Sequence, residues 1–170
     1  MKPRVFGACL LLSLLAAPQA FAQGAKLQID HLNRLADKAK AVVDVNLDQS
    51  MLQQAWAIGG KQPDAKMQAV LQGLSGVYVK SFEFDARGAY TDADVEAIRS
   101  QLKAPGWSRI VSVREKGELT EIYTFANGGL AIIAAEPLEL TVVNLVGHVN
   151  IAQLGALQGQ LGLPLMPKTK

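Results

Sequence analysis

SRIVSVR (108–114), LTEIYTF (119–125), LAIIAAE (130–136) and LELTVVNLV (138–146) follow one another in the chain. Each is rich in β-branched and apolar residues and is bounded by turn formers, the signature of a strand. The turns are Glu115-Lys116-Gly117-Glu118, Asn127-Gly128-Gly129 and Pro137. Asn-Gly-Gly tolerates the positive φ of a tight hairpin. Proline cannot donate to a ladder, so Pro137 ends a strand. Strands joined this closely are expected to pair in chain order as an antiparallel four-strand meander. Val111 and Val113 alternate with Ser112 and Arg114, while Leu119, Glu121, Tyr123 and Phe125 oppose Thr120, Ile122 and Thr124. Ala131 to Ala135 is apolar on both faces, which suits a central strand.

Upstream of that run, Leu27, Leu32 and Leu35 suggest a short helix ending near Lys40, with Asp30 as its cap and 23–26 as a polar tail. AVVDVNL (41–47) alternates as a half-buried strand. Asp48 reads as the N-cap of a helix carrying Met51, Leu52, Ala55, Trp56 and Ile58, ended by Gly59-Gly60. Pro63-Asp64 opens another helix, with Met67, Val70, Leu71 and Leu74 on one stripe. VYVKSFEFD (77–85) is a strand that puts Tyr78, Lys80, Phe82 and Phe84 on one face. Thr91 and Asp94 form a capping box for a helix with Val95, Ile98 and Leu102 inward. Trp107 then packs at the corner between that helix and the first meander strand. Asn150 caps a last helix with Ile151, Leu154 and Leu157, and 162–170 reads as a loose tail.

This order predicts an α+β fold: a mixed β-sheet with a C-terminal antiparallel four-strand meander and helices packed mainly on one face. The two early connections are long enough to carry helices, and a parallel return would be right-handed. Residues 41–160 form the expected core of a single domain spanning 23–170.

The first 22 residues read as a secretory signal peptide: Lys2 and Arg4, an apolar run over 5–17, then Ala20 and Ala22 as the small residues of a cleavage site. The run is too short to cross a hydrocarbon core, which needs about 20 residues. The expected location is therefore periplasmic or extracellular, with no transmembrane anchor after cleavage. Cleavage removes Lys2, Arg4 and Cys9, leaving 15 basic side chains (17 minus 2) against 15 acidic ones. A balanced chain gives no electrostatic argument for nucleic acid. Without cysteine, the core alone must hold 148 residues (170 minus 22) together. A domain near that size buries about 68–70% of its unfolded surface.

Chemistry-bearing patterns are sparse. His31 and His148 have no metal-ligand spacing around them, and no nucleophile elbow occurs. Glu118, Glu121, Glu136 and Glu139 lie near strand ends, where acids act as solvated rim charges more often than as a glycosidase-like pair. Asp85-Ala86-Arg87-Gly88-Ala89-Tyr90 reads as a strand-to-helix loop with a local Asp–Arg pair. Gly59-Gly60 and Gly128-Gly129 lack phosphate-loop spacing. Arg99, Lys103, Arg109, Arg114 and Lys116 are scattered and not interleaved with aromatics. No catalytic, cofactor-binding or metal residue is expected.

VYVKSFEFD (77–85), AYTDADVEAIRSQL (89–102), PGWSRIVSV (105–113) and GGLAIIAAEPLELTVVNLVG (128–147) together resemble a family of exported bacterial proteins, domain-of-unknown-function family 4252. The resemblance runs from about Ala41 to Pro164. His148-Val149 departs from a Pro-Ile-like pair in that pattern. The resemblance implies a small envelope domain, soluble or lipid-anchored, and brings no catalytic residues with it.

Three functions are consistent with these readings. The first is a non-enzymatic module that binds another envelope protein, in sensing or regulating envelope state. The second is a carrier of a small apolar ligand lined by Tyr78, Phe82, Phe84 and Tyr123. The third is a hydrolase built on Glu, Asp and His.

Overall fold

The computed structural model describes residues 24–58 and 72–148. A 3-10 helix (Asp30–Lys38) leads into β1 (Ala41–Asp48) and α1 (Gln49–Ile58). Then follow β2 (Leu74–Glu83), α2 (Asp92–Leu102), β3 (Trp107–Glu115), β4 (Glu118–Phe125), β5 (Gly129–Glu136) and β6 (Glu139–Gly147). Of the expected helix at 63–74, residues 63–71 lie outside the described residues, as do Gly59-Gly60, the helix after Asn150 and the tail; Leu74, expected on that helix, instead opens β2.

The strands form one six-stranded sheet in the order β1-β2-β6-β5-β4-β3. All five pairings are antiparallel, so the expected mixed sheet is corrected to an antiparallel one. Each early connection departs from the expectation for its own reason. Asp48, at the end of β1, pairs with Gly76, at the start of β2. That connection therefore leaves and re-enters at the same end of the sheet. β2 and β3 do run in the same direction, but β6, β5 and β4 lie between them, so no parallel ladder forms.

One face of the sheet carries Tyr78, Phe82, Tyr123, Ala131, Ile133, Leu140 and Val142. Against it pack Leu32 and Leu35 of the 3-10 helix and Val95, Ile98 and Leu102 of α2. Full burial of such aliphatic side chains is worth about 1.5–3 kcal/mol each. On the opposite face Val77, Val79, Ile122, Ile132, Val143 and Leu145 cluster with Leu52 of α1. β5 is buried along almost its whole length, as its two-sided apolar sequence requires. Trp107 fills the corner after α2, tilted against Phe125 with 5.1 Å between ring centroids.

Two caps fix helix starts. Asp48 Oδ1 accepts the Met51 N–H at 2.9 Å at the start of α1. Asp94 reaches back from α2 to accept the Thr91 N–H at 2.8 Å and the Thr91 hydroxyl at 2.9 Å. Asp30 caps nothing; Ile29 holds the cap position of the 3-10 helix without a side-chain bond.

The segment ahead of that helix is no polar tail. Ala25, Leu27 and Ile29 are buried in the core. Asn144 of β6, 0% exposed, fastens it by accepting the Leu27 N–H at 2.9 Å and donating to the Ala25 carbonyl at 2.8 Å. Gln101 of α2 forms a matching pair of bonds with Gln28, both 2.8 Å.

Candidate functional site

The residues singled out from the sequence do not converge. His31 sits 3.4 Å from the Asp94 carbonyl, on the helical side of the sheet. His148 is exposed, and its backbone N–H donates to the Gly73 carbonyl at 2.9 Å. Glu118 is exposed. Glu136 and Glu139 face each other across the β5–β6 ladder, with Glu139 accepting the Thr141 hydroxyl at 2.9 Å. Among the described residues, no ion pair joins Asp85 to Arg87, and no group of acids and histidines could hold a metal. Tyr90 instead donates to the Glu136 carbonyl at 2.5 Å and tilts against Phe84. Phe82 and Phe84 stack with 6.3 Å between centroids inside the core.

Among the described residues, a cleft lies towards each edge of the sheet. The first holds about 570 Å3 between the N-terminal segment, the 3-10 helix, β1 and β2. Its floor is Lys80, only 5% exposed, which donates to Asp44 Oδ2 on β1 at 2.7 Å. Lys26 lies over the Tyr78 ring, 4.2 Å from its centroid, within cation–π range.

β1 closes this cleft and, like β3 at the opposite edge, is largely exposed. It stands at the edge, and none of its residues is fully buried. It pairs with β2 without a bulge over the whole of Ala41–Asp48. Val42 and Val43 are exposed on its two faces, Val43 to 51%. The other edge strand, β3, is broken by a register shift between Arg109 and Val111. Such a bulge bends a strand and discourages pairing with a further one. β1 has no such protection.

The second cleft, about 580 Å3, lies between α2, β3 and β4. Glu121 forms part of its wall and is 2% exposed. Its carboxylate accepts Arg99 Nε at 2.7 Å, an Arg109 terminal nitrogen at 3.0 Å and the Tyr123 hydroxyl at 3.2 Å. Burial alone would raise the Glu121 carboxyl, but the two guanidiniums and the tyrosine outweigh it and hold the group below its ordinary range. Glu96, also in this cleft, is lowered chiefly by Lys103. An acid/base pair needs two carboxyls pushed apart in pKa. Both of these are pushed down.

Glu121 is thus not the solvated rim charge expected of it, although the strand alternation carried a sign of both buried charges. Lys80 falls between Tyr78 and Phe82, and Glu121 between Leu119 and Tyr123. A charge inside an apolar stripe marks a buried, paired group rather than a rim charge.

A family model described as Domain of unknown function (DUF4252) matches residues 36–157. The chain belongs to the DUF4252 family. That match covers all six strands and the second cleft of this DUF4252 protein, whereas the N-terminal wall of the first cleft, Lys26 to Asn33, precedes it. No curated protein and no solved structure matches it. Among the described residues, no helix is long and apolar enough to cross a membrane.

Proposed function

We propose that this protein is an exported, non-enzymatic binding module of the cell envelope, and that it holds a partner protein by adding a strand to the free edge of β1. The observation that carries the reading is the character of β1: eight residues in unbroken register on one side, with their backbone groups unpaired on the other among the described residues. In strand addition the main chain supplies affinity and alternate side chains supply selectivity. The docked strand would lay alternate side chains beside Val42, Asp44 and Asn46 over the Lys80 cleft, and beside Val43 and Val45 on the other face. The depressed, cation-held carboxylates favour binding over acid/base catalysis.

The test is a photo-cross-linking residue placed at Val43 in the full chain in its native envelope, with Lys116 as a control site. A partner captured from position 43 and lost when Val45 is replaced by proline supports the reading. Equal capture from both sites, or none from position 43, overturns it.

A further inference from the structure

The bulge in β3 has a second effect besides protecting an edge. In a regular strand Arg109 would face away from Ser112 and Arg114. The register shift between Arg109 and Val111 turns it to their side. Arg109, Ser112 and Arg114 then stand opposite Tyr123, Glu121 and Leu119 respectively, and all six line the second cleft. Bulges that re-aim one side chain are over-represented beside functional sites.

Electrostatics point the same way. The cleft carries Arg99, Lys103, Arg109 and Arg114 against Glu96 and Glu121, a formal excess of two positive charges (four minus two). Arg99 bridges α2 to β4, so its bond to Glu121 fastens the helix to the sheet. Arg109 fastens nothing new, because β3 and β4 already share a ladder. Its guanidinium has five N–H donors, of which Glu121 and Tyr123 occupy two at most, and the side chain is 53% exposed. Arg114 has no ion-pair partner among the described residues. Glu121 thus orients one guanidinium whose remaining donors open onto a cleft in the usual size range of small-molecule sites, about 300–1,000 Å3.

We propose that this cleft binds a small oxyanion whose two coplanar oxygens match the Arg109 fork, with Arg114 as the second cation and Lys103 at the rim. Carboxylates and phosphate monoesters share that chemistry. The site is independent of β1, which lies at the opposite edge of the sheet.

The experiment is a titration of the full chain at low salt with inorganic phosphate and, separately, with succinate, following the arginine side-chain Nε–H signals by NMR. Saturable shifts at Arg109 and Arg114 are expected, with a Kd at or below roughly 1 mM. Arg109→Lys keeps the charge and loses the fork; Arg114→Gln removes a cation that supports no other residue. Each should weaken binding roughly tenfold. Lys116→Gln, outside the cleft, should change nothing. Thermal melts of Arg114→Gln should match wild type, which separates lost binding from lost folding. Response to phosphate alone assigns a phosphate ester, response to succinate alone a carboxylate, and response to both the shared fork. No saturable shift with either ion, or equal weakening by Arg114→Gln and Lys116→Gln, overturns the proposal.

Discussion

Glu121 keeps its charge although it is buried, and Asp94 does the same on α2. For Asp94, burial would raise the carboxyl, but the Thr91 N–H, the Thr91 hydroxyl and Arg34 hold it below its ordinary value. Both groups are depressed on folding, so their stabilisation is fully present above the unfolded values of 4.5 and 3.8 and is lost as pH falls through the lower folded ones. Thermal melts should therefore hold steady from neutral pH down to about 5 and drop below about 4.5. Glu121→Gln should lower stability by about 2 kcal/mol, near the 1.5–3 kcal/mol of a hydrogen bond to a charged group, and flatten the acid limb. A full-strength acid limb in that variant would show that Glu121 does not carry it. Tyr90 behaves oppositely, pushed up to about 12 by burial and by the nearby Glu136 and Asp92. Its neutral form is the one the fold holds, so stability should fall as pH rises from about 10 towards 12, and Tyr90→Phe should remove that component. The Trp107 indole N–H is buried with no hydrogen-bond partner among the described residues, so its ring contributes by packing alone. At this scale the sequence was informative where a charge interrupted an apolar alternation. It was silent on pairing, because Arg99 and Glu121 meet only once α2 lies on the sheet.

The two edge strands differ in how they stop a sheet from growing. β3 carries a bulge and charged side chains, whereas β1 relies on Asp44 and Asp48 alone and exposes valine on both faces. Val42→Lys, at a side chain 44% exposed, should leave stability within about 0.5 kcal/mol of wild type, as surface substitutions usually do. The same change should abolish capture of the strand partner in the cross-linking experiment. Gly147 ends β6 with φ +121°, and a Cβ there would overlap the Gly73 carbonyl oxygen and come within 2.9 Å of Leu74 Cα. Both neighbours are backbone and cannot rotate away. Gly147→Ala should cost about 2–5 kcal/mol by urea unfolding, combining a left-handed penalty of about 1–2 with an overpacking term of about 1–3 kcal/mol. Elements were well legible from sequence: the Asp48 and Thr91–Asp94 caps, the inward face of α2 and the buried character of β5 all follow from local chemistry. The N-terminal segment was not, because its burial depends on Asn144, more than a hundred residues away.

At the scale of the molecule, the order β1-β2-β6-β5-β4-β3 places the strand nearest the N-terminus against the last one only through β2. Hydrogen exchange should report this arrangement. Amides of β5 and of the β2–β6 ladder should exchange slowest, near the global unfolding limit, and those of β1 fastest among the strands. Slow exchange throughout β1 in the isolated protein would mean its outer edge is covered. Strand direction was the part of the architecture that sequence left open. The length of a connection does not state which end of the sheet it returns to, and a one-helix crossing can skip three strands. Asn144 carries a consequence for geometry beyond stability. An amide offers one acceptor and a pair of donors in fixed positions; the Leu27 N–H and the carbonyls of Ala25 and Leu130 satisfy them in one alignment only. Gly24 therefore lies over the middle of the sheet, beside β5 and β6, where Ala25 lies against Gly129. Anything joined at that end, a carrier domain or a surface, would hang the protein by its centre, like a plate on a hook, with both rims turned outward.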